Sequence, residues 1–441
     1  MAEVTQDTAI APYPHLKRNF TLGIINGGLF VFAEALMSID TVLTWFVQQL
    51  GGSNFLVGLV GPMRDAGWLL PQLFTSHRLQ REPLKMPLYR RAAAVRIVVW
   101  FVWAAATFVL AANYPALLLV FFVAYAINAL ASGFAGLPFM DIVAKTIPPD
   151  RRGSYFGGRL FAGGVLGLVA SVIVTLVLSA QNSQPFPTNV GTLFVLSWFA
   201  AAGGLAAFAS TKEPPGDARD DGATFTAHLQ RAARLPRQNQ NLRYLLIARV
   251  VILLSYVAAP FYSIYSINVL GAPVSIIGVY ISVRTIVALL INPVWSRLSD
   301  RRGNKIVMQL AVAIGVIMLA WVVFMPGVAR SLNVPPAVSA YALVPVFALM
   351  GAYETGVGIG AVNLTLEVAP PNDRAIYIGL TNTILGIAYL STAVSGLIVD
   401  LLGYEGVFVL GLSLLLVGAW ALSRLRDPRE LIGTEGQTHA G

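Results

Sequence analysis

Twelve long apolar segments, separated by shorter polar ones, run along almost the whole of this 441-residue chain. They lie near 19–49, 54–76, 91–112, 115–144, 154–180, 191–210, 242–269, 274–296, 305–326, 338–368, 375–400 and 405–423. Most reach the ~20 residues with which an α-helix crosses the hydrocarbon core of a bilayer. Charged residues make up only 12% of the chain, against roughly 25% in soluble domains. The pattern predicts an all-α integral membrane protein with twelve transmembrane helices.

Positive charge is concentrated in every second connection between these segments. The basic connections are 77–90, 145–153, 211–241, 297–304 and 369–374, whereas the opposite connections hold almost no positive charge apart from Arg330. By the positive-inside rule, the basic loops and both termini are expected to be cytoplasmic. The basic residues behind the net charge of +9 are therefore interpreted as setting the orientation of the chain in the membrane rather than as forming a nucleic-acid-binding face. We expect a multi-pass protein of the plasma (cytoplasmic or inner) membrane.

Two halves of the chain repeat each other. "IPPDRRGSYFGGR" at 147–159 matches "APPNDRAIYIGLT" at 369–381, and its residues Arg152 and Arg374 are 222 positions apart. "LGGSNFLVGLVGPMR" at 50–64 matches "LGAPVSIIGVYISVR" at 270–284 at an offset of 220. Matches that recur at one offset indicate a duplicated structural unit. The sequence therefore predicts two pseudo-symmetric six-helix bundles.

A polar segment at 211–241, rich in proline, glycine and charges of both signs, separates the two repeats. Such a composition is typical of a linker. We therefore expect an N-terminal bundle at 18–210, a cytoplasmic linker at 211–241 and a C-terminal bundle at 242–424. The remaining residues, 1–17 and 425–441, are expected to be cytoplasmic tails.

The loop "SRLSDRRGNK" at 296–305 resembles the basic loop that the major facilitator superfamily carries between helices 8 and 9. Asp300, Arg301, Gly303 and Lys305 match that motif, whereas the corresponding first-half loop, "TSHRLQREPLKM", has lost it. With the duplication, the resemblance covers about 18–425. It implies a secondary transporter that alternates access to a central site. It also implies a cytoplasmic gate at these four residues, where Asp300 faces the start of span 11 at Asn372–Arg374, and we add Arg152 and Arg374 of the repeated phrase.

Charged residues inside apolar spans are costly, so each is a candidate for function. The deepest are Glu34, Asp40, Arg64, Asp65, Arg249, Arg284 and Glu354. Asp40 and Arg64 each lie 12 residues from the turn near residue 52, about 18 Å of helix rise. They are expected at one level, either as a structural ion pair or as part of a substrate or proton site.

Arg284 is the counterpart of Arg64 in the second repeat, but Pro260 stands where the matching acid would be. Arg284 therefore has three open interpretations: it binds substrate, it pairs with Glu354, or it lies at the lipid interface. An unpaired carboxyl in apolar surroundings binds a proton more readily than one in water. Glu34 and Glu354, and after them Asp40, are therefore the candidates for proton coupling.

The expected substrate cavity comprises Arg284, Glu354, Arg64, Asn128 and Tyr262. Asn128 lies in span 4, where the drug–proton antiporters of the superfamily carry an arginine. Tyr262 belongs to an aromatic cluster in span 7, which could line the cavity or fill helix interfaces.

The predicted function is secondary active, proton-coupled transport of a small molecule by a monomer in the lipid bilayer, with a proton or another ion as the coupling partner. The alternative is a non-transporting assembly or carrier factor on the same fold. The sequence shows no Ser-His-Asp constellation, Gly-rich phosphate loop, cysteine or clustered histidine. We therefore expect no enzyme activity, no cofactor, no metal site and no nucleic-acid partner.

Overall fold

The computed structural model describes residues 13–216, 234–370 and 374–427, with the exception of the side chains at 72–81, 330, 336–337 and 374–376. These residues form twelve membrane helices, which confirms the predicted fold class. In chain order the helices are α1 (Leu16–Gln49), α2 (Asn54–Arg81), α3 (Met86–Val109), α4 (Tyr114–Thr146), α5 (Pro149–Val177), α6 (Thr188–Ala209), α7 (Gln240–Asn268), α8 (Ile276–Arg302), α9 (Asn304–Ser331), α10 (Val344–Val368), α11 (Arg374–Ser391, continued through 392–402) and α12 (404–424). A four-residue helix, Pro336–Ser339, precedes α10.

Within the described residues, ten helices are individually long and apolar enough to cross a membrane. Helix α2 falls outside this set, and it carries the charged pair Arg64 and Asp65 in its apolar part. Helices α11 and α12 count as one in this set, and they join at Gly403, whose φ of 71° breaks the helical path. The architecture is thus a twelve-helix bundle in which α2 is less apolar than the other helices because it carries charged residues.

The two halves pack their helices in the same pattern. In the first half α1 packs on α5 and α6, α2 on α4, and α3 on α4 and α6. In the second half α7 packs on α11 and α12, α8 on α10, and α9 on α10 and α12. The equivalence of helices n and n + 6 is what a duplicated six-helix unit requires.

The first hairpin turn of each half contains a glycine at the equivalent position. Gly51, with φ +79°, ends the α1–α2 hairpin, and Gly271, with φ +73°, ends the α7–α8 hairpin. A left-handed backbone of this kind is open to glycine at little steric cost. We call the side of the molecule that carries the turns 50–53 and 269–275 the hairpin face. The opposite side, where α1 begins and α12 ends, is the terminal face.

Helices α1 and α7, which begin the two repeats, are both interrupted. Helix α1 is extended at Ser38 (φ −50°, ψ 124°) and continues as a π-helix over Ile39–Leu43. Helix α7 passes into a 3₁₀-helix over Ser255–Phe261, around a proline that has no N–H to donate. The two interruptions touch, because the Ser263 hydroxyl donates to the backbone carbonyl of Asp40 at 2.9 Å.

The halves meet through α2 on α11 and α5 on α8, and this contact is tight at the hairpin face. There the backbone of Gly396 on α11 lies directly against the carbonyl of Asn54, with no room for a Cβ atom. Toward the terminal face, Gly157 on α5 and Gly379 on α11 have open space where a Cβ would stand. The halves are therefore in direct contact at the hairpin face, whereas neither of these two glycines near the terminal face has a neighbouring atom within 4 Å of its Cβ position.

The described start of the predicted linker is fastened to the first bundle by Glu213. The Glu213 carboxylate is almost fully buried and lies 2.9 Å from Lys145 Nζ. It also accepts hydrogen bonds from the backbone N–H groups of Lys85 and Met86, where α3 begins. An acid at a helix N-terminus satisfies otherwise unpaired N–H donors and favours the helix dipole. Residues 217–233 of the linker lie outside the described residues.

Candidate functional site

A cavity of about 1000 Å³ lies between the two halves. Its lining includes most of the residues predicted for the substrate cavity and for proton coupling. The charged and amide side chains among the lining residues are Glu34, Asp40, Arg64, Asp65, Arg96, Asn128, Arg249, Arg284 and Glu354. The structure thus collects on one internal surface charges that are spread over more than 300 residues of sequence. Such a mixed polar and apolar cavity between pseudo-symmetric bundles has the form of a small-molecule site.

Arg284 on α8 joins two carboxylates from opposite halves. Its Nε and Nη2 atoms donate to the two carboxylate oxygens of Glu354 on α10, each at 2.8 Å. Its Nη1 atom lies 3.2 Å from Asp40 Oδ2 on α1. The three side chains keep only 21–29% of their surface exposed. We call this arrangement, Asp40–Arg284–Glu354, the charge bridge.

The backbone explains why Arg284 and Glu354 meet in the two-pronged geometry that guanidinium and carboxylate favour. Gly351 on α10 packs against the backbone of α8 at Arg284, at a distance that leaves no room for a side chain. Glu354 lies three residues further along α10, and residues three apart share one face of a helix. Asp40 reaches the same point because α1 is interrupted there.

The ion pair between Asp40 and Arg64, one of the two interpretations of these residues, is not formed. Arg64 instead donates from Nε to Oδ1 of the adjacent Asp65, at 2.9 Å. Depth counted from the hairpin turns is consistent with the contact between Asp40 and Arg284, but it could not give the direction of each side chain around its helix axis. Arg284 therefore contacts Asp40, the acid that the sequence had suggested as a partner for Arg64. Because Arg284 lines the cavity, the interpretation that it lies at the lipid interface is excluded.

Two further arginines line the cavity and bind only neutral oxygens within the described part of the chain. Arg96 on α3 donates from Nε to Asn128 Oδ1 at 3.1 Å, and its guanidinium carbon lies 5.1 Å from the centre of the Phe30 ring. Arg249 on α7 donates from Nη1 to Thr365 Oγ1 at 3.0 Å. Arg96 was not among the predicted site residues, although an arginine within an apolar span is a signal that could have identified it.

Glu34 on α1 lines the same cavity with an exposed side chain. Among the described residues it makes no hydrogen bond or ion pair, so its carboxylate is open to whatever occupies the cavity. Arg159 on α5, another arginine that the sequence analysis overlooked, is structural instead. It donates to the carbonyl of Gly23 at 2.6 Å and to Asn26 Oδ1 at 2.9 Å, and so ties α5 to α1.

The structure corrects the assignment of Tyr262 to the cavity. Tyr262 is 2% exposed and packs against the rings of Phe347 and Phe408 in the second bundle. Tyr256, in the 3₁₀ segment, lines the cavity instead and stacks on Tyr353. The 3₁₀-helix has three residues per turn rather than 3.6, which changes the side of α7 on which each aromatic lies.

A match to a family model agrees with this architecture. The model of the Major Facilitator Superfamily matches residues 87–328 and 244–440, and so most of the chain. The chain belongs to this superfamily. It is therefore a multi-pass membrane protein of a transporter family, with the lipid bilayer and a small-molecule substrate as its partners. No curated protein matched the sequence.

Solved structures of transporters share the superfamily fold at low sequence identity. A mutant form of the nucleoside transporter NupG has a TM-score of 0.72 at 14% identity, and the match covers 93% of this chain and 100% of that one. A D-xylose–proton symporter has a TM-score of 0.66 at 15% identity, covering 94% and 99%. An inward-facing bacterial homologue of the iron transporter ferroportin has a TM-score of 0.66 at 11% identity, covering 93% and 99%. At these identities the likeness concerns the fold alone.

The superfamily loop motif lies at the terminal face, at the turn between α8 and α9. Asp300 and Arg301 are exposed in the last turn of α8, and Gly303, with φ +88°, ends that helix. Lys305 follows, half-buried, in the first turn of α9. Asn304 fixes the turn, because it accepts from Ser299 at 2.6 Å and donates to Glu367 Oε1 on α10 at 2.9 Å.

The other predicted gate residues have different surroundings. Arg152 donates to the carbonyls of Ala144 and Ile147, at 2.8 and 3.1 Å, and so completes the end of α4. The side chain of Arg374 and the whole of Asn372 lie outside the described residues. Because the start of span 11 at 371–373 lies outside the described residues, the predicted contact of Asp300 with it stays a prediction. The gate role itself remains a prediction.

Proposed function

We propose that this chain is a proton-coupled secondary transporter that alternates access to the central cavity. The observation that carries the proposal is the charge bridge, in which Arg284 of one half holds Asp40 of the other. An ion pair that spans the two moving units links their relative position to the charge of the acids within it. A rigid scaffold has no use for such a link in the middle of a membrane, where ionisable groups are costly.

The bridge contains two carboxylates and one guanidinium, so it has one acid in excess. A proton can bind one carboxylate while the other keeps Arg284 paired, and the net charge of the bridge then changes from negative to neutral. Glu354 contacts Arg284 twice at 2.8 Å, whereas Asp40 contacts it once at 3.2 Å. Protonation of Asp40 therefore disrupts fewer contacts with Arg284 than protonation of Glu354 would, and it removes the ionic contact between the two halves. Glu354 keeps Arg284 charged and oriented meanwhile.

We take this structure to be one end state of the transport cycle, in which the cavity is closed at the hairpin face by the contact of Gly396 with Asn54 and is accessible from the terminal face. Access from the other side requires the contacts of Gly396 with Asn54, and of Asp40 with Arg284 and Ser263, to separate. The halves can rock as rigid bodies, since each is held by its own packing and they meet mainly through α2 with α11 and α5 with α8.

We further propose the orientation that loop charge implies. The terminal face, with the segments 1–17, 211–241 and 425–441, faces the cytoplasm, and the bundles 18–210 and 242–424 are the moving units of a monomer in the plasma membrane. The basic turns at the terminal face, including Arg301 and Lys305, support this assignment.

The decisive experiment uses purified protein in liposomes that carry a pH gradient and a pH-sensitive dye inside. A panel of small molecules is screened for substrate-induced proton movement. We expect at least one compound to move protons, Glu354→Gln and Asp40→Asn to lose pH-driven accumulation, and both variants to retain exchange of labelled for unlabelled substrate. Glu405→Gln, the same chemical change at an exposed position on α12, is the control.

Two results would contradict the proposal. Full pH-driven accumulation by Glu354→Gln, Asp40→Asn and Glu34→Gln alike would remove these acids from proton coupling. Failure of wild-type protein to move any compound, with or without a gradient, would favour the alternative of an assembly or carrier factor on the same fold.

A further inference from the structure

We propose that the substrate is an organic anion, and that Arg96 of the first half and Arg249 of the second bind its anionic group. The inference rests on the proposed function to the extent that it takes the central cavity as the substrate site. It adds the chemical class of the substrate and two residues that recognise it.

Arg96 carries the argument because it is buried and almost unpartnered. Its side chain lines the cavity, the residue is 6% exposed, and one donor is used by the neutral oxygen of Asn128. A guanidinium has five N–H donors. Within the described residues the others have no hydrogen-bonding partner, although the Phe30 ring accommodates one face of the cation.

Arg249 repeats this arrangement in the other half. It lines the same cavity, and the described residues give it one hydrogen bond, to the hydroxyl of Thr365. The other two arginines of the cavity differ, because Arg64 has a carboxylate partner in Asp65 and Arg284 has two. The cavity therefore contains two arginines with a carboxylate partner, and two, Arg96 and Arg249, whose hydrogen bonds within the described residues go to neutral oxygens.

The positions of these arginines favour a ligand that arrives from the open side. Arg96 lies ten residues into α3 and Arg249 nine residues into α7, each counted from the terminal face, which is about 13–15 Å of helix rise. Glu34 offsets at most one of the two charges. An anion that enters from the terminal side would meet two cations before it reaches the charge bridge.

Electrostatics explains why an anion, rather than a neutral molecule, suits the cavity. A guanidinium withdrawn from water without a counter-charge is unfavourable, and a bound anion removes that penalty. Planar guanidinium groups hold carboxylate and phosphate oxygens in pairs. Trp68, which is 40% exposed, lines the same cavity and offers an apolar surface to an organic body.

The test measures binding by thermal stabilisation of the purified protein in detergent, at one pH and without a gradient. Three pairs of probes share a skeleton and differ in charge: succinate and succinamide, benzoate and benzamide, glycerol 3-phosphate and glycerol. We expect at least one anion to stabilise the wild-type protein more than its neutral analogue. Arg96→Gln should weaken that binding about tenfold to hundredfold, because charge-assisted hydrogen bonds are lost.

Arg91→Gln is the matched control, since it removes an arginine from an exposed position on the same helix. Arg249→Gln should weaken binding as Arg96→Gln does, and Arg96→Lys, which keeps the charge but loses the planar fork, should fall between. Arg96→Lys and Arg249→Gln also decide the matter if Arg96→Gln does not fold.

The inference is overturned if no anion stabilises the wild-type protein more than its neutral analogue, or if the Arg96 and Arg249 variants bind as tightly as Arg91→Gln. Its failure is distinguishable from failure of the proposed function. Anion binding without pH-driven transport would support this inference and contradict the proposed function. Proton-coupled transport of neutral compounds only would support the proposed function and contradict this inference.

Discussion

Arg284 Nη1 lies 3.2 Å from Asp40 Oδ2, and this contact joins the two halves of the molecule at the central cavity. The residues are 244 positions apart in the chain. Arg284 is at the same time bound by both oxygens of Glu354 within its own half. One cation thus serves an intra-half and an inter-half contact, and the second is the weaker one. This is the arrangement expected where a contact must form and break repeatedly.

We expect Arg284 and Glu354 to be energetically coupled. Neutralising Arg284 alone leaves two largely buried carboxylates without a cation, and neutralising Glu354 alone leaves Arg284 with Asp40 as its one ion-pair partner. Neutralising both leaves a single carboxylate, so the effects of the two substitutions should not add. The variants Arg284→Gln, Glu354→Gln and the double variant should show a coupling energy of about 0.5–3 kcal/mol in apparent unfolding free energy in detergent. A cycle of Arg284→Gln with Asp150→Asn, an exposed acid at the start of α5, should give none. Additive effects in the first cycle would show that the pair is not formed in solution.

Closure of the hairpin face should depend on the absence of a side chain at Gly396. A Cβ atom there would meet the carbonyl of Asn54, so Gly396→Ala should shift the protein toward opening at that face. Spin labels on cysteines at Gln49 and Val269, in a chain that has no cysteine of its own, should report a longer distance. Gly379→Ala, on the same helix in open space, is the control and should leave the distance unchanged. Identical distance distributions in both variants would contradict the closed contact.

Glu213 should contribute measurably to stability although it belongs to the predicted linker. Glu213→Gln removes the ion pair with Lys145 and weakens the acceptor for the first N–H groups of α3. We expect a loss of about 1–3 kcal/mol in apparent unfolding free energy. The comparison variant is Asp150→Asn, whose acid is exposed and pairs loosely with Arg151, and it should change little. A stable Glu213→Gln protein would mean that the linker is not fastened there.

The proposed orientation can be tested by labelling single cysteines in intact cells. Gln184 is exposed in the α5–α6 connection at the hairpin face, and Arg302 is exposed at the terminal face. We expect Gln184→Cys to react with a membrane-impermeant reagent added outside, and Arg302→Cys to react only after permeabilisation. The reverse pattern would invert the topology and, with it, the assignment of the cytoplasmic face.

The sequence by itself determined the membrane helices, their duplication and the depth of the charged residues. Apolar length and repeated phrases indicated twelve helices in two equivalent sets, and the match around Gly51 and Gly271 indicated equivalent turns. Depth was accessible because an α-helix rises by a constant ~1.5 Å per residue, so equal distances from a turn place residues at equal levels. Asp40 and Arg284, each counted from its own hairpin turn, do meet in the structure.

Only the tertiary structure decided which of these charges meet. Direction around a helix axis depends on the number of residues per turn, and the π-helix at Asp40 and the 3₁₀-helix before Tyr262 both change it. Which helices face each other across the halves is likewise a property of packing, since α8 meets α5 and α2 meets α11 over long sequence separations. The sequence left Asp40 open between an ion pair with Arg64 and a role in the site, and it placed Tyr262 in the cavity. Packing instead pairs Asp40 with Arg284, buries Tyr262 and leaves Arg96, among the described residues, without a hydrogen-bonded acid.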